Sequence, residues 1–300
     1  MDQASTLRQM VGGAQEPERL PARPAGSMRV ISVTSGKGGV GKTNMVINLC
    51  MALARLNKRV FLLDADMGLA NVDVILGISP KYTLEHLMRG ERRIEDVVMD
   101  GPGFRLLPSS SGLTELADMT YDQQMFLFRE LSRLDEHLDY LFIDTGAGIH
   151  SNVLRFNASA GEVLIIATPE PTSITDAYAL MKLLALKYNI QEFTLLANMV
   201  TSDKEGQEVY NRLAHVCQHF LNVTLNYLGC VPQDPHLRQS VRQQQPLLEL
   251  FPASPAAKSI TRLAGQLNSR QTTAYAANQN NAASNGKNTF WDRLLHWKKM

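Results

Sequence analysis

The chain has 300 residues, of which 44% are hydrophobic, and its 30 Lys and Arg nearly balance 29 Asp and Glu, for a formal net charge of +1. This composition allows one sizeable α/β core and offers no support for a strongly basic, nucleic-acid-binding protein. No apolar run is long enough to span a membrane, the N-terminus lacks the pattern of a secretion signal, and three widely spaced cysteines argue against a disulfide framework.

The first 27 residues differ from the rest of the chain in composition. Residues 11–27 are rich in Gly, Pro, Ala and polar groups and show no apolar periodicity. Such a composition is typical of a flexible linker. Residues 1–27 are therefore predicted to be a flexible N-terminal segment, tethered to a domain that begins at residue 28.

A glycine-rich loop stands between the first predicted strand and the first predicted helix. Residues 29–34 are a β-branched run typical of a buried parallel strand, and apolar residues recur at helical spacing from residue 45 onward. Glycines in such a loop let backbone N–H groups close around a polyphosphate at the positive end of the helix. Lys42 is placed to reach the β- and γ-phosphates of a nucleotide, and the Thr43 hydroxyl to ligate Mg²⁺. The predicted nucleotide-binding residues of this loop are Gly36, Lys37, Gly38, Gly39, Val40, Gly41, Lys42, Thr43 and Asn44.

The loop carries a second lysine, Lys37, directly after its first glycine. By spacing alone, Lys37 could be a solvated loop lysine. Residues 37–43, Lys-Gly-Gly-Val-Gly-Lys-Thr, resemble the deviant Walker A motif of the MinD/ParA superfamily of P-loop ATPases. The resemblance implies that Lys37 crosses a dimer interface to the partner's nucleotide, comparable to an arginine finger. One loop would then serve both ATP binding and ATP-dependent homodimerisation.

Two carboxylates close the next predicted strand. Residues 59–63 are apolar or β-branched and lead into Asp64 and Asp66, at the strand end where ligands bind in open α/β sheets. Acids closing a strand at the surface are also common. Residues 67–73 resemble the first switch segment of MinD-like ATPases, which implies that Asp66 orients the attacking water, Asp64 supports the metal region and Asn71 lies near the partner subunit.

A further apolar strand, residues 140–143, ends in a single acid, Asp144. This is the Walker B arrangement, in which Asp144 holds Mg²⁺ directly or through water; the alternative is an acid that caps the next helix. Gly146 and Gly148 follow in the expected second switch. MinD and ParA proteins usually have a proline in this stretch, and its absence resembles instead the related FlhG/FleN proteins, which regulate flagellar number and placement.

The remaining pattern alternates strands with helices. Such alternation predicts a three-layer α/β/α fold with a mostly parallel, twisted sheet, as one P-loop ATPase domain over residues 28–268. Further strands are predicted over residues 163–167, 193–199 and 225–231, and helices over residues 122–138, 173–188, 204–221 and 256–267.

Two strand ends are candidates for the adenine site. The amide of Asn198 can offer a donor and an acceptor together, as reading an adenine edge requires. Pro232, Gln233 and Asp234 follow a later strand, and resemblance to MinD implies that this loop lines the adenine pocket. Asn and Pro at strand ends are often only turn formers.

The extreme N-terminus carries a short motif. Asp-Gln-Ala-x-x-Leu-Arg resembles the N-terminal motif of FlhG proteins, which in that family stimulates the GTPase FlhF. The alternative is a short disordered terminus. The residues of this predicted partner motif are Asp2, Gln3, Ala4, Leu7 and Arg8.

The C-terminal end combines a polar tract with an amphipathic segment. Residues 269–289 are dominated by Asn, Ala, Gln, Ser and Thr, which predicts a disordered linker. Residues 290–300 form a predicted aromatic and basic helix that suits interfacial membrane binding. The alternative is a tail docked on the protein's own surface or on the partner subunit. The predicted membrane residues are Phe290, Trp291, Leu294, Leu295, Trp297, Lys298 and Lys299.

The resemblance as a whole implies an ATPase switch that dimerises with ATP and Mg²⁺, hydrolyses ATP slowly, and regulates flagellar number, placement and gene expression. It implies an FlhF-type GTPase, a FleQ-type transcriptional activator and flagellar switch-ring proteins as partners. Localisation is expected to be cytoplasmic, with reversible peripheral attachment to an anionic membrane surface and no direct nucleic-acid binding. Alternatives are a ParA-type DNA-partitioning ATPase, a MinD-type regulator of the division site, or an interaction protein that seldom hydrolyses ATP.

Overall fold

The computed structural model describes residues 28–66, 72–108, 120–134 and 138–269, together with residues 290, 293 and 294. Eight strands among these residues form one sheet. In chain order they are β1 Arg29–Ser35, β2 Val60–Ala65, β3 Met99–Asp100, β4 Arg105–Leu107, β5 Tyr140–Ala147, β6 Glu162–Ala167, β7 Glu192–Val200 and β8 Thr224–Pro232.

The sheet is parallel except at one edge. Its strand order is β3-β4-β2-β5-β1-β6-β7-β8, and only β3 and β4 pair antiparallel. The first strand therefore lies in the middle, between β5 and β6. The helices in chain order are α1 Lys42–Arg55, α2 Val72–Leu76, α3 Leu84–Met88, α4 Ile94–Val97, α5 Tyr121–Ser132, α6 Ser151–Ser159, α7 Pro171–Tyr188, α8 Asp203–Phe220, α9 Pro235–Arg242, α10 Leu247–Leu250 and α11 Pro255–Ser269.

Helices cover both faces of the sheet. Because successive strand residues point to opposite faces, Ile31 and Val33 of β1 pack in the core beneath α1, α10 and α11, whereas Val30 packs in the core beneath α4, α5 and α6. Beneath α7 and α8, a third cluster covers β6 and β7 on the same side as Val30. The predicted three-layer α/β/α fold with a mostly parallel sheet is confirmed.

One predicted helix is shorter than expected. The pattern predicted a helix over residues 122–138, but α5 ends at Ser132. By residue 139 the backbone is already tied to the sheet, since the Asp139 carbonyl accepts from the N–H of Arg29 and the Asp139 N–H donates to the carbonyl of Arg59. Leu134 and Leu138 are nevertheless buried in the same core as the helix, which explains why their spacing extended the helical pattern.

No helix within the described ranges is both long enough and apolar enough to cross a bilayer.

Candidate functional site

The glycine loop joins β1 to α1 at the carboxyl edge of the sheet. Gly39 and Gly41 have φ angles of 79° and 83°, which L side chains rarely adopt. Gly36 is required for a different reason: a Cβ atom there would lie 2.1 Å from the carbonyl carbon of Asp176 in α7. The loop is therefore held against the first turns of α7 while its other glycines set its curvature.

Lys42 and Asp144 form a buried ion pair. Lys42 Nζ lies 2.6 Å from Asp144 Oδ1, and the two side chains are 7% and 0% exposed. Burial raises the pKa of the Asp144 carboxyl, although the Lys42 ammonium and the nearby Thr43 hydroxyl oppose the shift and Asp66 adds to it. The sheet register pairs Asp144 with Asp64 of the neighbouring strand, and Asp66 directly follows that strand. The carboxylates of Asp64, Asp66 and Asp144 therefore lie at the same edge of the sheet.

This arrangement fits a Mg²⁺ ion. Oδ2 of Asp144 is buried and has no hydrogen-bond partner among the described residues. A carboxylate oxygen without a protein donor, beside a threonine hydroxyl, is a ligand set that Mg²⁺ accepts when phosphates and water complete its shell. Among the described residues no group of three or more His, Cys, Asp and Glu side chains is placed to hold a metal by itself.

Asp66 lies between the ends of β2 and β5. Its N–H donates to Asp64 Oδ1 at 3.1 Å. A Cβ on Gly146 would lie 3.2 Å from Asp66 Oδ1, so glycine at this position leaves the space that the carboxylate occupies. Glycine at position 146 therefore allows the close approach of Asp66, the residue predicted to orient the attacking water. Residues 67–71 of the predicted first switch, including Asn71, lie outside the described residues.

The residues of the predicted second switch are tied to the end of β1 and to α6. The N–H of Gly148, whose φ is 89°, donates to the carbonyl of Ser35 at 2.8 Å. His150 then precedes the first turn of α6 and accepts from the N–H of Leu154. Backbone hydrogen bonds therefore connect the residues after β5 with the end of β1 and with the first turn of α6.

Lys37 points away from the buried pair. Its Nζ donates to Glu170 Oε2 at 2.7 Å and to Thr172 Oγ1 at 3.1 Å. The side chains of Lys37 and Glu170 are 40% and 65% exposed. The two lysines of the loop therefore occupy different environments, one buried on Asp144 and one at the surface. Sequence reasoning missed Glu170 and Thr172, because a polar residue before a helix is usually only part of a turn.

Asn198 contacts the loop rather than open solvent. Its side chain is 2% exposed, and Nδ2 donates to the carbonyl of Val40 at 2.8 Å. A Cβ on Gly41 would lie 2.6 Å from the same nitrogen. Asn198 thus braces the loop from the end of β7. Its predicted role at an adenine edge stays a prediction.

Asp234 joins the N-termini of two helices. Oδ1 accepts from the N–H of His236 at 3.0 Å in the first turn of α9, and Oδ2 accepts from the N–H of Ala256 at 3.0 Å in α11. Burial alone would raise the pKa of Asp234, but these hydrogen bonds and one from the His236 ring hold it below its ordinary value. Next to it, Pro232 is half-buried and Gln233 exposed. The predicted adenine contact of this loop stays a prediction.

We expect Asp234→Asn to lower the free energy of unfolding by about 1–3 kcal/mol at about pH 7, because an amide can accept on only one side and leaves one helix N-terminus without its acceptor. A carboxyl with a depressed pKa stabilises the fold above its unfolded-state pKa, and this contribution is lost as the pH falls through the folded-state pKa. The difference between wild type and variant should therefore shrink below about pH 4.

Denaturant titrations at neutral and acidic pH measure this difference. The exposed Asp100→Asn serves as a matched control, with little expected change at any pH. A wild-type-to-variant difference that stays constant with pH would contradict the assignment.

Phe290 and Leu294, near the C-terminus, pack against α6 of the same chain. Phe290 and Leu294 are 3% and 1% exposed and belong to the core that includes Phe156 of α6. Nε and Nη2 of Arg155 donate to the carbonyl of Leu294 at 3.0 and 2.8 Å. This position corresponds to the docked alternative for the tail. Arg155 was missed from the sequence because one arginine in an amphipathic helix carries no signal of a distant partner.

Comparison with known proteins identifies related chains. Residues 28–198 match a family model described as an AAA domain. The antiactivator FleN of Pseudomonas aeruginosa is 45% identical over 243 residues, 81% of this chain and 87% of that protein. The flagellum site-determining protein YlxH of Helicobacter pylori is 35% identical over 274 residues, 91% of each chain. Among solved structures, the MinC:MinD cell division protein complex of Aquifex aeolicus aligns with a TM-score of 0.62 and 27% identity, over 80% of this chain and 96% of that one.

Proposed function

The chain belongs to the FlhG/FleN branch of flagellar regulators within the MinD/ParA family of P-loop ATPases, and we propose that it acts there as a switch that dimerises with ATP and returns to the monomer through slow hydrolysis. The observation that carries this proposal is the separation of the two loop lysines. Lys42 is buried on Asp144, whereas Lys37 reaches the surface and is exposed enough to contact a second copy.

Each residue of the site has a task in this mechanism. Lys42 neutralises phosphate charge within its own subunit, and Lys37 of the second copy adds another positive charge at the same phosphates. Thr43 and Asp144 would hold Mg²⁺, which screens the charge on the phosphates when bound. Asp66, beside Gly146, orients the attacking water. Catalysis is then mainly a matter of position and electrostatics, which accords with slow turnover until the dimer assembles.

The second switch supports a link between nucleotide state and the C-terminal tail. Gly148 bonds to Ser35 beside the loop, α6 starts directly after it, and Arg155 on the same helix holds the carbonyl of Leu294. We propose that ATP-driven dimerisation shifts α6, weakens this contact and frees the aromatic, basic tail for an anionic membrane. Two tails per dimer would add avidity of roughly 10²- to 10⁴-fold over a single weak anchor.

The regulatory partners are part of the proposal. FleN is named an antiactivator and YlxH a flagellum site-determining protein, which supports action on flagellar gene expression and placement rather than on DNA partitioning or the division site. We propose an FlhF-type GTPase for the N-terminal motif, a FleQ-type activator and switch-ring proteins as partners, and a cytoplasmic protein that attaches reversibly to the inner face of the membrane.

Molecular mass in solution tests the switch directly. Light scattering after size exclusion should give a monomer with ADP and a dimer with ATP. The steady-state rate of ATP hydrolysis per protein molecule should rise with protein concentration. A mass that is the same with both nucleotides would overturn the proposal.

For the tail, we expect Arg155→Ala to pellet with anionic liposomes without ATP. Loss of a hydrogen bond from a charged donor costs about 1.5–3 kcal/mol, which moves the balance between docked and free tail about 10- to 150-fold. Arg212→Ala removes an exposed arginine elsewhere and should stay in solution, as we also expect of the wild type with ADP.

Removing residues 290–300 from the Arg155 variant should abolish its liposome binding, which separates tail release from partial unfolding. An Arg155 variant that still requires ATP to pellet would contradict the link through α6.

A further inference from the structure

Lys37 has intramolecular partners that the ATPase mechanism does not use. Glu170 Oε2 and Thr172 Oγ1 lie 2.7 and 3.1 Å from its ammonium group. Both belong to the loop and first turn after β6, on the far side of the glycine loop from Asp144. Within one subunit the signature lysine is therefore already paired with a carboxylate and a hydroxyl.

Backbone packing holds the glycine loop, which carries Lys37, close to the start of α7, which carries Glu170 and Thr172. Gly36 packs directly on the backbone of Asp176 and Ala177 in α7, so the start of the glycine loop cannot move far from that helix. The side chain of Glu170 makes no capping hydrogen bond to α7, although the residue stands at the N-cap position. The Glu170 carboxylate is thus available to Lys37, and its removal costs the helix no capping contact.

We propose that Glu170, assisted by Thr172, is a positioning residue that holds Lys37 within its own subunit and thereby sets the affinity of the ATP dimer. This inference rests on the proposed function, because Lys37 must leave Glu170 before it can reach the nucleotide of a second copy. The cis contact of Lys37, defined by Glu170 and Thr172, opposes dimerisation. It keeps the monomer favoured until the concentration of ATP-bound protein is high enough to compensate.

The solvent exposure of the Lys37–Glu170 ion pair limits how much its removal can change the dissociation constant of the ATP dimer. Ion pairs as exposed as this one change an equilibrium by up to about fivefold. Two cis contacts must break for each dimer, so removing both should tighten the ATP dimer roughly 2- to 30-fold. Salt screens exposed ion pairs. The difference in dimer dissociation constant between the wild type and a variant without the cis contact should therefore become smaller as the salt concentration is raised.

The experiment measures the dissociation constant of the ATP dimer by analytical ultracentrifugation for wild type, Glu170→Gln, Glu170→Asp and Thr172→Val, in the full chain at low and high salt. We expect the tightest dimer for Glu170→Gln, a value between it and wild type for Glu170→Asp, and a smaller gain for Thr172→Val. Convergence of wild type and Glu170→Gln at high salt would support an electrostatic origin, which a purely structural role would not produce.

The outcomes separate this inference from the proposed function. If wild type dimerises with ATP but Glu170→Gln dimerises equally or more weakly, the positioning role is overturned while the switch stands. A weaker dimer would mean that Glu170 serves the interface itself. If no variant and no wild-type protein dimerises with ATP, both proposals fail.

Discussion

Lys37→Ala is expected to bind ATP but to remain a monomer and to lose ATP turnover by a factor on the order of 10³ to 10⁵, the range for a charge supplied from a second subunit. The physical reason is the separation of the two lysines. Lys42 stays on Asp144 at 2.6 Å and can still contact the phosphates of its own subunit, whereas the surface lysine is removed. Light scattering and a phosphate-release assay give mass and turnover for the same samples.

Lys258→Ala is the matched control for this variant, since it removes one exposed lysine on α11, on the other side of the sheet from α7. It should dimerise and hydrolyse ATP like the wild type. A Lys37→Ala protein that still forms the ATP dimer would contradict the intermolecular role of the lysine, whose contacts would then be only those with Glu170 and Thr172 in its own subunit.

Asp66→Ala is expected to have the opposite combination of properties: an ATP dimer that persists, with turnover lower by about 10² to 10⁴, the usual contribution of a positioned acid–base group. The Asp66 carboxylate lies beside Gly146, and the backbone N–H of Asp66 donates to Asp64 Oδ1. Replacing the side chain therefore removes a carboxylate near the predicted nucleotide site without removing a predicted phosphate contact. Mass with ATP over time and single-turnover hydrolysis measure the two properties separately.

Asp66→Asn keeps the volume of the side chain and should be as inactive as the alanine variant if the carboxylate charge orients the water. Full activity in either variant would remove Asp66 from the mechanism. Loss of the ATP dimer in both would instead indicate that Asp66 maintains the shape of the first switch.

Local patterns carried much of the fold and the centre of the site. The β-branched run of β1, the glycines and the apolar helical spacing of α1 lie within about thirty residues, and the resulting strand, loop and helix follow directly from steric and hydrogen-bonding preferences. Asp64 and Asp144 could be placed together because parallel strands end at the same edge of the sheet. The end of α5 could not be located, since buried leucines continue the helical spacing after the helix itself has stopped.

Contacts between distant segments had no sequence signal. Lys37 and Glu170 are 133 positions apart, and Arg155 and Leu294 are 139 positions apart. Each pair forms only because the tertiary fold brings elements that are distant in the sequence to one edge or one face of the sheet. Asp234 shows the same limit, because its acid suggested a ligand loop but its oxygens accept from the first turns of α9 and α11.

The sequence by itself therefore predicted where a nucleotide-binding loop would lie, since backbone curvature, helix polarity and strand ends are properties of short segments. The tertiary structure alone decided where the charged side chains point: Lys42 inward onto Asp144, Lys37 outward onto Glu170, and Arg155 onto the C-terminal tail. A charge takes its partner from whatever packing brings within hydrogen-bond distance, and that distance is set by the whole fold rather than by its neighbours in the chain.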